Sequence, residues 1–122
     1  MISIPVSIGE LIDKITILEI KINTITNIDA LGNIKFELTK LENIAKEFEC
    51  ADLKTSMSDI NQELWNTEDA VRECERTRDF GEKFISLARN VYHKNDERAR
   101  IKRMINERFN SAIVEEKSYS AY

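Results

Sequence analysis

The side chains with most capacity for chemistry lie between Asn61 and Arg72, in the run Asn-Gln-Glu-Leu-Trp-Asn-Thr-Glu-Asp-Ala-Val-Arg. On a helix, Asn61, Trp65, Glu68 and Arg72 fall at i, i+4, i+7 and i+11 and line one stripe. Leu64 and Val71 lie on a neighbouring stripe that continues the apolar seam of Leu53, Met57 and Ile60. This helix therefore turns two faces toward its neighbours, one apolar and one polar, and the polar one carries the only tryptophan of the chain. Glu68 and Asp69 are adjacent acids beside Trp65 and Arg72. Such a pair can hold a divalent cation or act as a general base if another helix supplies further oxygens. Asn95, Asp96 and Glu97 are the candidates for that supply. The competing reading pairs the two acids with Arg98, Lys102 or Arg103 of a facing helix, which locks register and performs no reaction.

Arg98, Arg100, Lys102, Arg103 and Arg108 make the last part of the chain locally basic. The guanidinium fork suits a phosphate or a sugar acid, whereas the interleaved Glu97 and Glu107 suit a solvated face. The candidate binding residues are thus Asn61, Trp65, Glu68, Asp69, Arg72, Asn95, Asp96, Arg98, Lys102 and Arg103, with no catalytic residue assigned. Histidine and cysteine show no metal-binding spacing, and no glycine-rich phosphate loop or Gly-x-Ser-x-Gly elbow occurs. No metal and no cofactor is therefore expected. Asp79-Phe80-Gly81 matches the kinase metal loop by chance, since the rest of that set is missing. His93 stands alone and reads as a surface residue.

The elements that must position these residues are helical. One proline, three glycines, 42% hydrophobic and 33% charged residues in 122 suit helices joined by short loops, in a single domain over residues 1–122. Residues 2–6 alternate and could form an extended arm. Ser7 and Glu10 then match a capping box. A first helix is expected from Ile8 to about Ile25, carrying Ile8, Leu11, Ile12, Ile15, Leu18, Ile22 and Ile25 on a stripe widened by Ile17 and Ile20. So wide an apolar face is buried by several neighbours or between subunits, which predicts a homo-oligomer. Asp13 and Glu19 stand within it, either on its solvated edge or turned inward to a base.

A second helix, about Ala30 to Phe48, carries Leu31, Ile34, Leu38, Leu41, Ala45 and Phe48 at heptad spacing. A third, about Leu53 to Arg78, repeats that spacing after a short loop, so the two are expected to form an antiparallel αα-hairpin. Asp79 and Glu82 suggest the cap of a fourth helix ending near Tyr92, and Asn95-Asp96-Glu97 the cap of a fifth, although the two could run together with a kink. Residues 111–122 lack a period and read as a tail packed on the bundle or on a partner. The fold class is therefore all-α, a bundle of four to five helices around an antiparallel hairpin with an N-terminal arm and a C-terminal tail.

A net charge of −4 argues against a nucleic-acid partner. No apolar run is long enough for a membrane span, and Met-Ile-Ser-Ile-Pro lacks the features of a secretion signal. If Leu53 to Arg78 is one helix, Cys74 lies roughly 30 Å from its start, near which Cys50 stands, at about 1.5 Å per residue. That is too far for a disulfide, and two lone thiols fit the cytoplasm.

Three segments together carry a resemblance: Ile4-Pro5-Val6-Ser7-Ile8-Gly9-Glu10-Leu11-Ile12-Asp13-Lys14 through Lys21, Asn61 to Arg72, and Asn95 to Asn106 with Glu115-Glu116-Lys117-Ser118-Tyr119. Their order and spacing resemble a family of small bacterial and phage proteins of unknown function. The Leu-Trp-x-x-Glu-Asp and Asn-Asp-x-Arg pieces are similar to a second uncharacterised helical family. The resemblance implies a setting among surface-polysaccharide and glycosyltransferase genes. It also implies that Asp13, Glu19, Glu68, Asp69, Arg72, Asn95, Asp96, Arg98, Lys102 and Arg103 form one constellation. The function expected is a non-catalytic binding or assembly module in surface-glycan or nucleotide-sugar biosynthesis, with a protein partner or an anionic sugar or nucleotide as ligand. The alternative is a Mg²⁺-dependent enzyme acting on a phosphorylated sugar or nucleotide, with Glu68, Asp69 and Asp96 on the metal and Arg72 or Arg98 on phosphate.

Overall fold

A computed structural model describes all 122 residues as four α-helices without a strand: α1 (Ile8–Thr24), α2 (Ile28–Ala45), α3 (Ala51–Thr77) and α4 (Glu82–Arg108). Helix α1 begins where its cap was expected. Ser7 is extended, with ψ 158°, and its Oγ accepts a hydrogen bond from the Glu10 amide at 3.1 Å. The reciprocal half of the capping box is not made, because the Glu10 carboxylate turns to Lys102 instead, 3.0 Å away.

The wide apolar face of α1 is divided between two cores. Ile12 joins Cys50, Leu53, Met57 and Ile60 of α3 and its leading turn with Ile101 and Ile105 of α4. Leu11, Ile15 and Leu18 pack on Ile34 and Leu38 of α2. Three neighbours in the same chain thus account for its width. Met57 and Ile105 have 0% exposure and form the centre of the larger core.

The hairpin differs from the one expected. Helix α2 packs along α1 alone, while α3 and α4 run antiparallel in the most extensive helix pairing of the molecule. Their direction follows from the side chains that meet across them: Glu63 with Lys94, Asn61 with Arg98, and Asp52 with Arg108. The heptad spacing of α2 serves α1, whose two apolar edges it could not distinguish from a seam with α3.

Helix α4 is continuous through Asn95-Asp96-Glu97, so no fifth helix forms. These residues disfavour a helix interior by well under about 1 kcal/mol each, and packing on α3 both before and after them outweighs that. Asp79 does not cap α4 either. Its Oδ1 accepts from the Gly81 amide at 3.2 Å inside the turn, and α4 starts after Gly81 with no side-chain cap. The turn is fixed by Arg78, which takes the left-handed region at φ 55° and lets the Asp79 amide donate to the Cys74 carbonyl at 2.9 Å.

Residues 111–122 run back along α4. Glu115 and Glu116 meet Lys102 and Arg103, and Tyr122 reaches back to Asp96, so the tail forms a strap antiparallel to α4. The arm at residues 1–6 is exposed.

Helices α1 and α4 touch backbone to backbone at Gly9. A Cβ there would lie 2.5 Å from the Lys102 carbonyl oxygen, whereas one on Gly32 of α2 would meet nothing within 4 Å. Gly9→Ala should therefore destabilise by about 1–3 kcal/mol, as overpacking does. Gly32→Ala should stabilise by about 0.5–1 kcal/mol through helix propensity. Urea unfolding of the two variants, expected to move in opposite directions, checks this.

The paired ends of the hairpin give a pH test. A bidentate hydrogen bond from Arg108, at 2.6 and 2.8 Å, pulls the Asp52 carboxyl down from 3.8 to about 2. A depressed carboxylate contributes stability above its unfolded pKa and loses it as pH falls, here between about pH 4 and 2. NMR titration should find the Asp52 midpoint near 2, and in Arg108→Ala moved up toward the ordinary 3.8 but held below it by the hydrogen bond from the Leu53 amide.

Candidate functional site

On α4, Arg98, Lys102 and Asn106 recur every four residues and form one stripe facing α1. Asn106 Oδ1 accepts from the Gly9 amide at 2.7 Å, and Ser111 Oγ accepts from the Ile8 amide at 3.2 Å. These bonds satisfy donors that the first turn of any helix leaves free. One turn further on lies a buried carboxylate, Asp13, 2% exposed in the otherwise apolar company of α1. Asn61 of α3 donates from Nδ2 to Asp13 Oδ1 at 2.7 Å and to Thr16 Oγ1 at 2.9 Å. Thr16 in turn donates to the Asp13 carbonyl at 2.8 Å. The other carboxylate oxygen faces Lys102 Nζ at 3.4 Å and Arg98 Nε at 3.8 Å.

Lys102 has two further acids, Glu10 at 3.0 Å and Glu115 of the tail at 3.1 Å. Burial works against its charge, but the bonds it donates to Glu10 and Glu115, with the charge of Asp13, outweigh that and raise its pKa above the ordinary 10.5. Its stabilising contribution is therefore complete at neutral pH and is lost only as pH rises through that raised value. Glu115 is shifted the other way, lowered by Lys117 and Lys102. No buried polar side-chain atom is left without a partner.

Above this network opens a cleft of about 480 Å³, lined by Ile17, Asn61, Leu64, Trp65, Glu68, Asp69, Arg72, Asn95 and Arg98. Helix α3 presents its polar stripe there because Leu64 and the apolar positions around it face α4. Trp65 is half-buried, and Glu68, Asp69 and Arg72 are exposed. Of the residues singled out from sequence, Asn61, Trp65, Glu68, Asp69, Arg72, Asn95 and Arg98 thus share one cavity.

The remaining three sit elsewhere. Lys102 lies behind the cleft in the buried network. Asp96 accepts from the Tyr122 hydroxyl, and Arg103 pairs with Glu116 at 3.1 Å and Glu107 at 3.5 Å. The ion pairs expected between Glu68 or Asp69 and Arg98, Lys102 or Arg103 are not formed, because Asp13 claims the first two cations and the tail the third. Nor do Glu68, Asp69 and Asp96 meet as a metal cluster, and the three carboxylates that do converge, Glu10, Asp13 and Glu115, close on the Lys102 ammonium. Asp96 points to the tail side of α4, on the wall of another pocket.

Of the two acids within the apolar face of α1, Asp13 turns inward to the network, whereas Glu19 stays on a half-buried edge and pairs with Lys54 at 2.9 Å. The essential parts that pattern reading passed over are Thr16, Asn106 and Glu115. Their only sequence signals were Asn106 four residues after Lys102, and an acid in a tail without periodicity.

A model of a protein family of unknown function (DUF6165) matches residues 2–122. The chain belongs to that family. No curated protein and no solved structure matches it. For this member of the family, the network and the cleft are therefore what describe the site.

Breaking a buried ion pair from one side is far costlier than removing an exposed charge. Asp13→Asn should destabilise by about 3 kcal/mol, the lower end for such a loss because Lys102 keeps Glu10 and Glu115. Glu68→Gln should stay within about 0.5 kcal/mol of the parent. Denaturant unfolding of both variants at pH 7 measures the contrast.

Proposed function

We propose that this protein is a non-catalytic binding module whose cleft holds the sugar part of a glycan or nucleotide sugar, in surface-glycan biosynthesis in the cytoplasm. The observation that carries the reading is the company of Trp65. A half-buried indole shares the cleft with two acids and an arginine that have no ion-pair partner in the chain, with Asn61 one turn before it and Asn95 and Arg98 on α4. A sugar ring presents an apolar face and an edge of hydroxyls that donate and accept. The indole suits the face, and the carboxylates, amides and guanidinia suit the edge. The mixed charge of the cleft favours such a ligand over a bare polyanion.

The buried amine behind the cleft is not poised as a nucleophile. Lys102 is held as a cation by carboxylates, opposite to the lowered pKa a nucleophilic lysine needs. The two free, buried cysteines fit a reducing compartment. Association of copies is supported by the outer side of α2, where Phe36 and Ile44 are 61% and 57% exposed.

Trp65 is the only tryptophan, so its emission reports the cleft directly. Titration with nucleotide sugars and free saccharides should shift that emission and raise the melting temperature, since a ligand that binds only the folded state stabilises it. Trp65→Ala should weaken binding at least about tenfold, or about 1.4 kcal/mol, by calorimetry. No response across both ligand classes overturns the proposal.

A further inference from the structure

The cleft does not end at Asn95 and Arg98. The same two residues, one turn apart on α4, also line a pocket of about 260 Å³ on their other side, closed by Asp96, Ala99, Lys102, Lys117 and Tyr119. Its outer wall is the tail. The tail is fastened on both sides of Tyr119: Glu115 is held by Lys102 at 3.1 Å, and Tyr122 by Asp96 and by edge contacts with Tyr92 and His93 at 5.4 and 4.9 Å. Tyr119 itself is 75% exposed, and its ring meets only the Lys117 ammonium, 5.9 Å from the centroid. The tail thus holds a bare aromatic ring beside a polar pocket that shares Asn95 and Arg98 with the cleft.

Resting on the saccharide reading of the cleft, we propose that this pocket is a second sugar subsite with Tyr119 as its platform, so that the ligand is a glycan of at least two units. The two aromatic rings, Trp65 and Tyr119, then flank a shared polar middle at Asn95 and Arg98. The smaller pocket falls below the roughly 300 Å³ at which a pocket accommodates a drug-sized ligand alone, so it extends the ligand of the cleft. Its charges favour hydroxyls over a phosphate. Arg98 and Lys102 already face carboxylates, and Asp96 would oppose an added anion. Amide, carboxylate and ammonium groups around one aromatic ring offer both donors and acceptors to a neutral ring.

The test uses the full chain with glucose, galactose and N-acetylglucosamine and the β1,4-linked disaccharide of each, read by calorimetry and by Trp65 emission. At least one disaccharide should bind about tenfold tighter than its monosaccharide. Tyr119→Ala should remove that advantage and leave monosaccharide affinity intact, and Tyr119→Phe should restore it. Trp65→Ala should weaken both ligands. Tyr119 is exposed, so its variants fold. Equal affinity for mono- and disaccharides, or an unchanged disaccharide advantage in Tyr119→Ala, overturns the second subsite while a Trp65→Ala loss keeps the cleft. Absence of binding by all six sugars overturns the subsite, and the saccharide reading of the cleft falls with it only if nucleotide sugars also give no response.

Discussion

The burial of one carboxylate constrains much of this molecule. Asp13 lies inside a helix whose other inward positions are mostly isoleucine and leucine, with Gly9 and Thr16 among them, and a charge there is tolerable only if it is paired and hydrogen-bonded. Asn61 supplies the hydrogen bond from α3, and Lys102 and Arg98 supply the charge from α4. Meeting that requirement from both sides seats α1 against the hairpin at a single register. A slip of one turn on any of the three helices would separate the carboxylate from at least one partner.

The same constraint shapes what lies around it. Lys102 needs more negative charge than Asp13 provides, and Glu115 brings it, which draws the tail along α4. Arg98 is shared between the buried acid and the open cleft, half-buried and held only by long contacts of 3.5 and 3.8 Å. It therefore keeps donors turned to the cleft while its Nε faces the buried carboxylate. Glu68, Asp69 and Arg72 remain solvated because the cations that could have neutralised the acids are engaged below.

The close approach at Gly9 belongs to the same arrangement. Only a residue without Cβ lets the Lys102 backbone come within contact of α1, and that approach carries the Lys102 side chain to Glu10 and Asp13. Packing and electrostatics here are two aspects of one contact. Beyond it the α3/α4 hairpin continues without α1 or α2 over it, and its apolar positions Val71, Phe84, Leu87 and Val91 are only half-buried. The cleft lies where α1 leaves the hairpin groove, since a groove partly filled by one helix has a cavity at the end of that filling.

The sequence by itself determined the helices, their apolar stripes and the polar stripe of Asn61, Trp65, Glu68 and Arg72, because 3.6-residue periodicity and capping are local properties. It also indicated that Asn95 and Arg98 belong with that stripe. Only the tertiary structure decided which helices pair. An apolar heptad records that a face is buried and not against what, so α2 could be matched to α3 on spacing alone when its partner is α1. The same holds for charge. In one dimension Asp13 fits either a solvated edge or an inward pair, Lys102 is one of several bases and Glu115 lies in a tail without a period; only the convergence of α1, α3, α4 and the tail makes them a buried network.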